Sequence, residues 1–160
     1  MFAIEVFTKN SFKDSRGKHI LAYINLIGVK DVKKVNYCSL YIIEGNLLLN
    51  EVKMIASCLL SDKITENYTI TKCDIKDSCF NDVYVSKAMI EVLYKKGVTD
   101  TVSSSVIKAV KDLGINKEIE VKTGSRYYLN GKLSKAVLDN VACNLLANTL
   151  IQEYKIKSIK

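Results

Sequence analysis

Nucleophilic catalysis needs a cysteine or serine held beside a base and an orienting acid. The chain carries five cysteines but one histidine, His19, which falls in a helical segment and reads as a solvated surface residue. Cys38, Cys58, Cys73, Cys79 and Cys143 lack the CxxC pairing of zinc sites, and the opening MFAIEVF lacks the cationic and long apolar regions of a secretory signal. Reduced thiols in the cytoplasm are therefore expected. Cys73 and Cys79 are near enough for a disulfide or metal pair, but no second ligand cluster accompanies them. No GxxxxGK(S/T) or GxGxxG run offers backbone amides to a phosphate, so no cofactor or metal is expected.

Three polar stretches remain. KDSRGKHI, residues 13–20, places Asp14 or Ser15 to cap a helix with Gly17 and Lys18 in its first turn. VKTGSRYYL, residues 121–129, suggests a tight turn at Gly124 and Ser125 between two strands. CNLLANTLIQEY, residues 143–154, ends a helix at Asn148 and Thr149 and starts a strand. Each has a sufficient structural explanation. RNA-recognition modules carry exposed aromatics in a Lys/Arg-Gly-aromatic run. In GSRYYL alternation puts one tyrosine in the core and one outside, which is ordinary strand packing, so nucleic acid is not an expected partner.

The elements that hold these stretches occur twice. Sliding the chain by 86 residues aligns 2–70 with 88–156 without a gap, and 16 of 69 positions are identical. Ile20, Tyr23, Ile24 and Ile27 form a helical stripe that Val106, Ala109, Val110 and Leu113 repeat, and each stripe stops at a glycine, Gly28 or Gly114, suited to a left-handed cap. Val52, Ile55, Ala56 and Leu59 are answered by Leu138, Val141, Ala142 and Leu145. Alternating segments around Ile4, Tyr41 and Tyr68 recur around Ile90, Tyr127 and Tyr154 as strands. The fold class is α+β: two tandem βαββαβ ferredoxin-like modules, residues 1–72 and 87–160, with a connector at 73–86, packed as a pseudo-dimer with antiparallel sheets. The net charge of +7 is scattered rather than gathered in blocks, and no run of eighteen apolar residues suggests a membrane span.

The second copy's LLANTLIQEY and its Val121-to-Leu129 stretch, with the first copy's DSRGKHI, resemble the PurS family, a subunit of phosphoribosylformylglycinamidine synthase. That family pairs an aspartate, glycine and lysine before its first helix, a VxxGxxxxL strand turn and an LLANTxIxxY ending. Departures lie in the complementary places: the first copy has Ser15 for the usual proline, Cys38 at the strand glycine and LLSDKITENY for the ending, and the second has DTVSSSVI without glycine or lysine. Together the copies resemble one PurS dimer, like the N-terminal domain of the large single-chain enzyme.

The resemblance implies purine biosynthesis and a scaffold without catalytic residues of its own. Such a scaffold would bridge a PurL-like synthetase and a PurQ-like glutaminase for ammonia transfer. The expected partner contacts are exposed polar residues not needed by the core: Asp14, Arg16 and Lys18 of the first copy, Arg126, Asn148 and Thr149 of the second. The alternative is a tandem regulatory protein like the ACT domains, which share the βαββαβ order and bind small molecules.

Overall fold

The computed structural model describes residues 1–73, Tyr84 and residues 86–158; most of the expected connector, Cys79 included, lies outside the described residues. The elements follow the repeat closely. In chain order they are β1 (Phe2–Thr8), α1 (Ser15–Leu26), β2 (Val32–Gly45), α2 (Leu49–Ile55), β3 (Glu66–Lys72), β4 (Ala88–Tyr94), α3 (Thr101–Asp112), β5 (Ile119–Gly131), α4 (Lys135–Val141) and β6 (Gln152–Ser158). The 86-residue offset maps both ends of β1, α1, α2 and β3 onto those of β4, α3, α4 and β6. Helices α2 and α4 each finish in one π-helical turn, Ala56–Leu60 and Ala142–Leu146, closed by Ser61 N–H donating to Ala56 O and Ala147 N–H to Ala142 O.

One local expectation fails in an informative way. The two middle strands expected in each copy are one continuous strand, and β5 runs straight through Gly124 and Ser125. The glycine serves a close approach rather than a turn: a Cβ on Gly124 would lie 2.2 Å from Val92 O on the neighbouring β4. Strand β2 is continuous through Cys38 in the same way.

The chain forms two compact units, and each draws on both copies. Unit one holds β1, β2 from Ser39 onward, α2, β3, α3 and β5 as far as Thr123, with hydrogen-bonded strand order β3-β1-β2-β5. Unit two holds α1, β2 as far as Cys38, β4, β5 from Gly124, α4 and β6, in the order β2-β5-β4-β6. Each unit thus has four strand segments and two helices, the content expected of a βαββαβ module, with half-strands supplying the middle pair. The pairings β1 with β3, β4 with β5 and β4 with β6 are antiparallel.

Each core shows why a helix from the other copy is needed. In unit one Phe2, Ile4, Val6, Ile43, Val52 and Ile55 pack with Val106 and Val110 of α3. In unit two Ile90, Val92, Leu129, Leu138 and Val141 pack with Ile24 of α1. A fully buried Val or Ile of this kind contributes about 2 kcal/mol over its exposed state, so either core would lose several kcal/mol without the borrowed helix. The buried face of α1 runs through Gly17, Ile20, Leu21 and Ile24, one register away from the stripe expected, and Tyr23 and Ile27 are exposed.

Two further expectations are corrected. Tyr127 and Tyr128 are both buried, because both faces of β5 are covered there, so GSRYYL presents no exposed tyrosine. Cys73 is in a disulfide, whereas Cys38, Cys58 and Cys143 are free thiols, so the uniformly reduced state does not hold. Among the described residues no helix is long and apolar enough to cross a membrane.

Gly28 and Gly114 adopt φ of +87° and +86° with open space where a Cβ would sit, as the capping role requires. Gly28→Ala and Gly114→Ala should each cost about 1 kcal/mol from backbone strain alone. Gly124→Ala, which drives a methyl into the β4 backbone, should cost more, about 3 kcal/mol. Urea unfolding of the three variants checks the ranking, and equal losses would contradict it.

Candidate functional site

All six residues expected to face partners fall in unit two, although they come from both sequence copies. Asp14 is the N-cap of α1. Its Oδ1 accepts from Gly17 N–H at 2.8 Å and its Oδ2 accepts from Tyr37 N–H at 2.9 Å, so one carboxylate fastens the helix start to β2. Gly17 lets the helix come this close, since a Cβ there would lie 2.4 Å from Val35 O. The equivalent in unit one is Asp100, which caps α3 through Ser103 N–H at 2.9 Å and ties it to Thr123 N–H at 2.9 Å. There Ser103 replaces the glycine, and its hydroxyl donates to Val121 O at 2.6 Å.

The first turn of α1 then presents its charges outward. Arg16 is exposed and stacks over Tyr37 with its guanidinium carbon 5.1 Å from the ring centroid, a cation–π geometry. Tyr37 Oη and Ser125 Oγ share a hydrogen bond at 3.2 Å, and the Tyr37 ring meets Tyr127 edge-on at 5.6 Å between centroids. Burial pushes the Tyr127 phenol above its ordinary value, opposed by its hydrogen bond with Ser125. Lys18 is exposed on the same turn. Sequence reasoning missed Tyr37 because nothing in the linear spacing links it to Arg16; the Asp14 bridge creates that link.

Arg126 does not belong to this surface. It is 1% exposed, and its Nε donates to Glu91 Oε2 at 2.8 Å while Nη2 lies 2.6 Å from the same oxygen. An arginine is ordinarily exposed, but antiparallel pairing puts this one directly across from Glu91 on β4, and the pair is buried as a unit. The first copy keeps the acid, Glu5, but has Leu40 in place of the arginine.

Asn148 and Thr149 are exposed in the turn before β6. Asn148 Oδ1 accepts from Leu150 N–H at 3.2 Å, Asn148 N–H donates to Gln152 Oε1 at 2.9 Å, and Lys95 Nζ donates to Thr149 O at 2.5 Å. Unit one repeats the arrangement: Lys9 Nζ donates to Lys63 O at 2.5 Å, and Asp62 Oδ1 accepts from Thr65 N–H at 2.7 Å and Ile64 N–H at 2.9 Å. Those bonds, Thr65 foremost, hold the Asp62 carboxyl below its ordinary value. Unit one also has a groove of about 800 Å³ lined by Glu44, Ile107, Lys111, Lys117 and Ile119, with mixed charge.

The fold and this surface define a class: a tandem α+β protein whose caps and buried ion pair spend their charged groups on structure and whose exposed polar groups face outward. Residues 1–73 and 87–160 both match the family described as PurS, phosphoribosylformylglycinamidine (FGAM) synthase, and the chain belongs to that family. Membership connects it with that synthase, with purine biosynthesis and with protein partners. No curated protein matches the chain. Among solved structures it is similar to B. subtilis PurS in its C2 crystal form, at 26% identity and a TM-score of 0.43, over 46% of this chain and 98% of that one.

Arg126→Leu should destabilise the protein by about 3 kcal/mol, because it leaves Glu91 buried without its cation; a loss under about 1 kcal/mol in urea unfolding would contradict this. Asp62 should contribute stability that is full above the ordinary carboxylate range and lost as the pH falls through its lowered value. Asp62→Asn, which gives unit one the neutral residue that unit two has at Asn148, should therefore flatten the acid side of the stability–pH curve. An unchanged acid limb would contradict it.

Proposed function

We propose that this chain is a non-catalytic component of FGAM synthase that holds a PurL-like synthetase and a PurQ-like glutaminase together for ammonia transfer. The observation that carries this reading is the asymmetry of two surfaces related by the repeat. On unit two the first helical turn shows Arg16 stacked on Tyr37, with Lys18 beside it. On unit one the same positions carry Val102, which is 48% exposed, the exposed Ser104 and Thr123, which is buried against Asp100. A homodimer of identical chains shows every partner the same face twice, whereas a tandem fusion lets each copy specialise. A cationic, aromatic face and an uncharged face that shows Val102 and Ser104 suit two different enzymes.

The bonds made by Asp14, Asp100, Glu91 and Arg126 support a structural reading, because each holds helix to strand or strand to strand. Arg16, Lys18, Asn148 and Thr149 are the contacts proposed for partners; Asp14 positions the first two, and Arg126 acts through the stability of β5. Each copy, residues 1–72 and 87–160, is proposed as the duplicated ancestral unit. An ACT-like regulatory role remains a second reading, favoured by the groove of unit one.

Copurification with the two enzymes tests the proposal. The full chain should recover both, and the double variant Arg16→Glu/Lys18→Glu should weaken one association by about tenfold or more while sparing the other. Val102→Asp should show the converse preference. Recovery of neither enzyme, together with micromolar binding of an amino acid or purine precursor by calorimetry, would replace the scaffold with the regulatory reading.

A further inference from the structure

Strands β3 and β6 are equivalent in the repeat and stand at the ends of the strand order among the described residues, but their sequences treat the open edge differently. Edge strands invite pairing, and lysines along them are a common defence. Strand β6, QEYKIKS, carries Lys155 and Lys157 there. Strand β3, ENYTITK, has Thr69 and Thr71 at those two positions and keeps its charges at the ends, Glu66 and Lys72.

The ladder to β1 fixes which groups of β3 are available. Lys9 N–H donates to Thr65 O at 2.9 Å and Cys73 N–H donates to Met1 O at 3.0 Å, so the odd-numbered residues between them turn their backbone toward β1. Glu66, Tyr68, Ile70 and Lys72 turn theirs away; of these, Glu66 N–H already donates to Asp62 O at 2.9 Å and its Oε2 accepts from Asp62 N–H at 2.9 Å, so Glu66 offers a partner strand its carbonyl and its second carboxylate oxygen. These four form a self-complementary set. If a second β3 runs antiparallel with Thr69 opposite Thr69, then Glu66 meets Lys72, Tyr68 meets Ile70, and each outward residue faces an outward residue. Opposite charges, an aromatic against a β-branched residue, and threonine against threonine are the favourable cross-strand pairs. Tyr68 and Ile70 are half-buried on the core face of the sheet, so this pairing also continues the apolar face that ends at them. The same operation on β6 would bring Lys155 against Lys155.

We propose that the β3 edge binds a second copy of this chain, strand to strand about an axis at Thr69, and that β6 is protected from doing so by Lys155. The interface is isologous, with Glu66 and Lys72 each used twice. It is independent of the bridging role.

Sedimentation velocity of the full chain over a concentration series tests it. The wild type should show a reversible dimer. Thr69→Lys, which gives β3 the residue β6 already carries, should weaken it by about tenfold or more through like charges opposed at the axis. Glu66→Lys and Lys72→Glu should each do the same, and mixing those two variants should restore a heterodimer, since every charge then meets its opposite. The rescue separates a lost contact from a lost fold. A wild type that stays monomeric, single variants that associate as the wild type does, or a mixture that fails to recover would each overturn the proposal.

Discussion

The constraint on which the structure depends is the continuity of β2 and β5. Each strand is longer than one sheet of its own copy can use, 14 and 13 residues, and its first half serves one unit while its second half serves the other. A helix delivered at the start of such a strand belongs to the unit of that first half. So α1 completes the core around Ile90 and Leu129, and α3 completes the core around Ile4 and Ile43. Neither unit can be assembled from one copy. Joining the copies covalently replaces a bimolecular encounter with an intramolecular one, which removes the dependence of folding on concentration.

Local devices make that exchange of helices specific. Asp14 and Asp100 each satisfy a helix N-terminus and a strand amide with one carboxylate, so cap and docking form together. Where the copies differ, the difference is compensated on the spot. Gly17 solves the close approach to Val35 O by having no side chain, and Ser103 solves it at Val121 O by donating a hydrogen bond. Glu91 has Arg126 as its buried partner, whereas the first copy pairs Glu5 with a strand carrying Leu40. Divergence has been free where a substitution could be absorbed by its immediate neighbours.

This freedom has a functional side. In a symmetric assembly of identical chains a change that improves one contact is imposed on every equivalent contact. In a tandem chain Arg16 and Tyr37 can be one thing and Val102 and Thr123 another, and likewise Thr69 and Lys155. The duplicated framework is kept by its glycine caps, its π-turns and its turn lysines Lys9 and Lys95, while the exposed positions diverge.

The sequence alone determined the repeat, the type of nearly every element, the left-handed caps at Gly28 and Gly114, and the family, because all of these rest on local spacing or on motifs that survive in linear order. Only the tertiary structure decided which helix serves which core, since both helices carry a compatible apolar face and periodicity says nothing about where it docks. It also decided that Gly124 permits a close strand approach rather than a turn, that Arg126 is buried against Glu91, and that Tyr37 receives Arg16. Each of these depends on a partner more than twenty positions away, or in the other copy, and the energy of such a pair exists only once the chain has brought its members into contact.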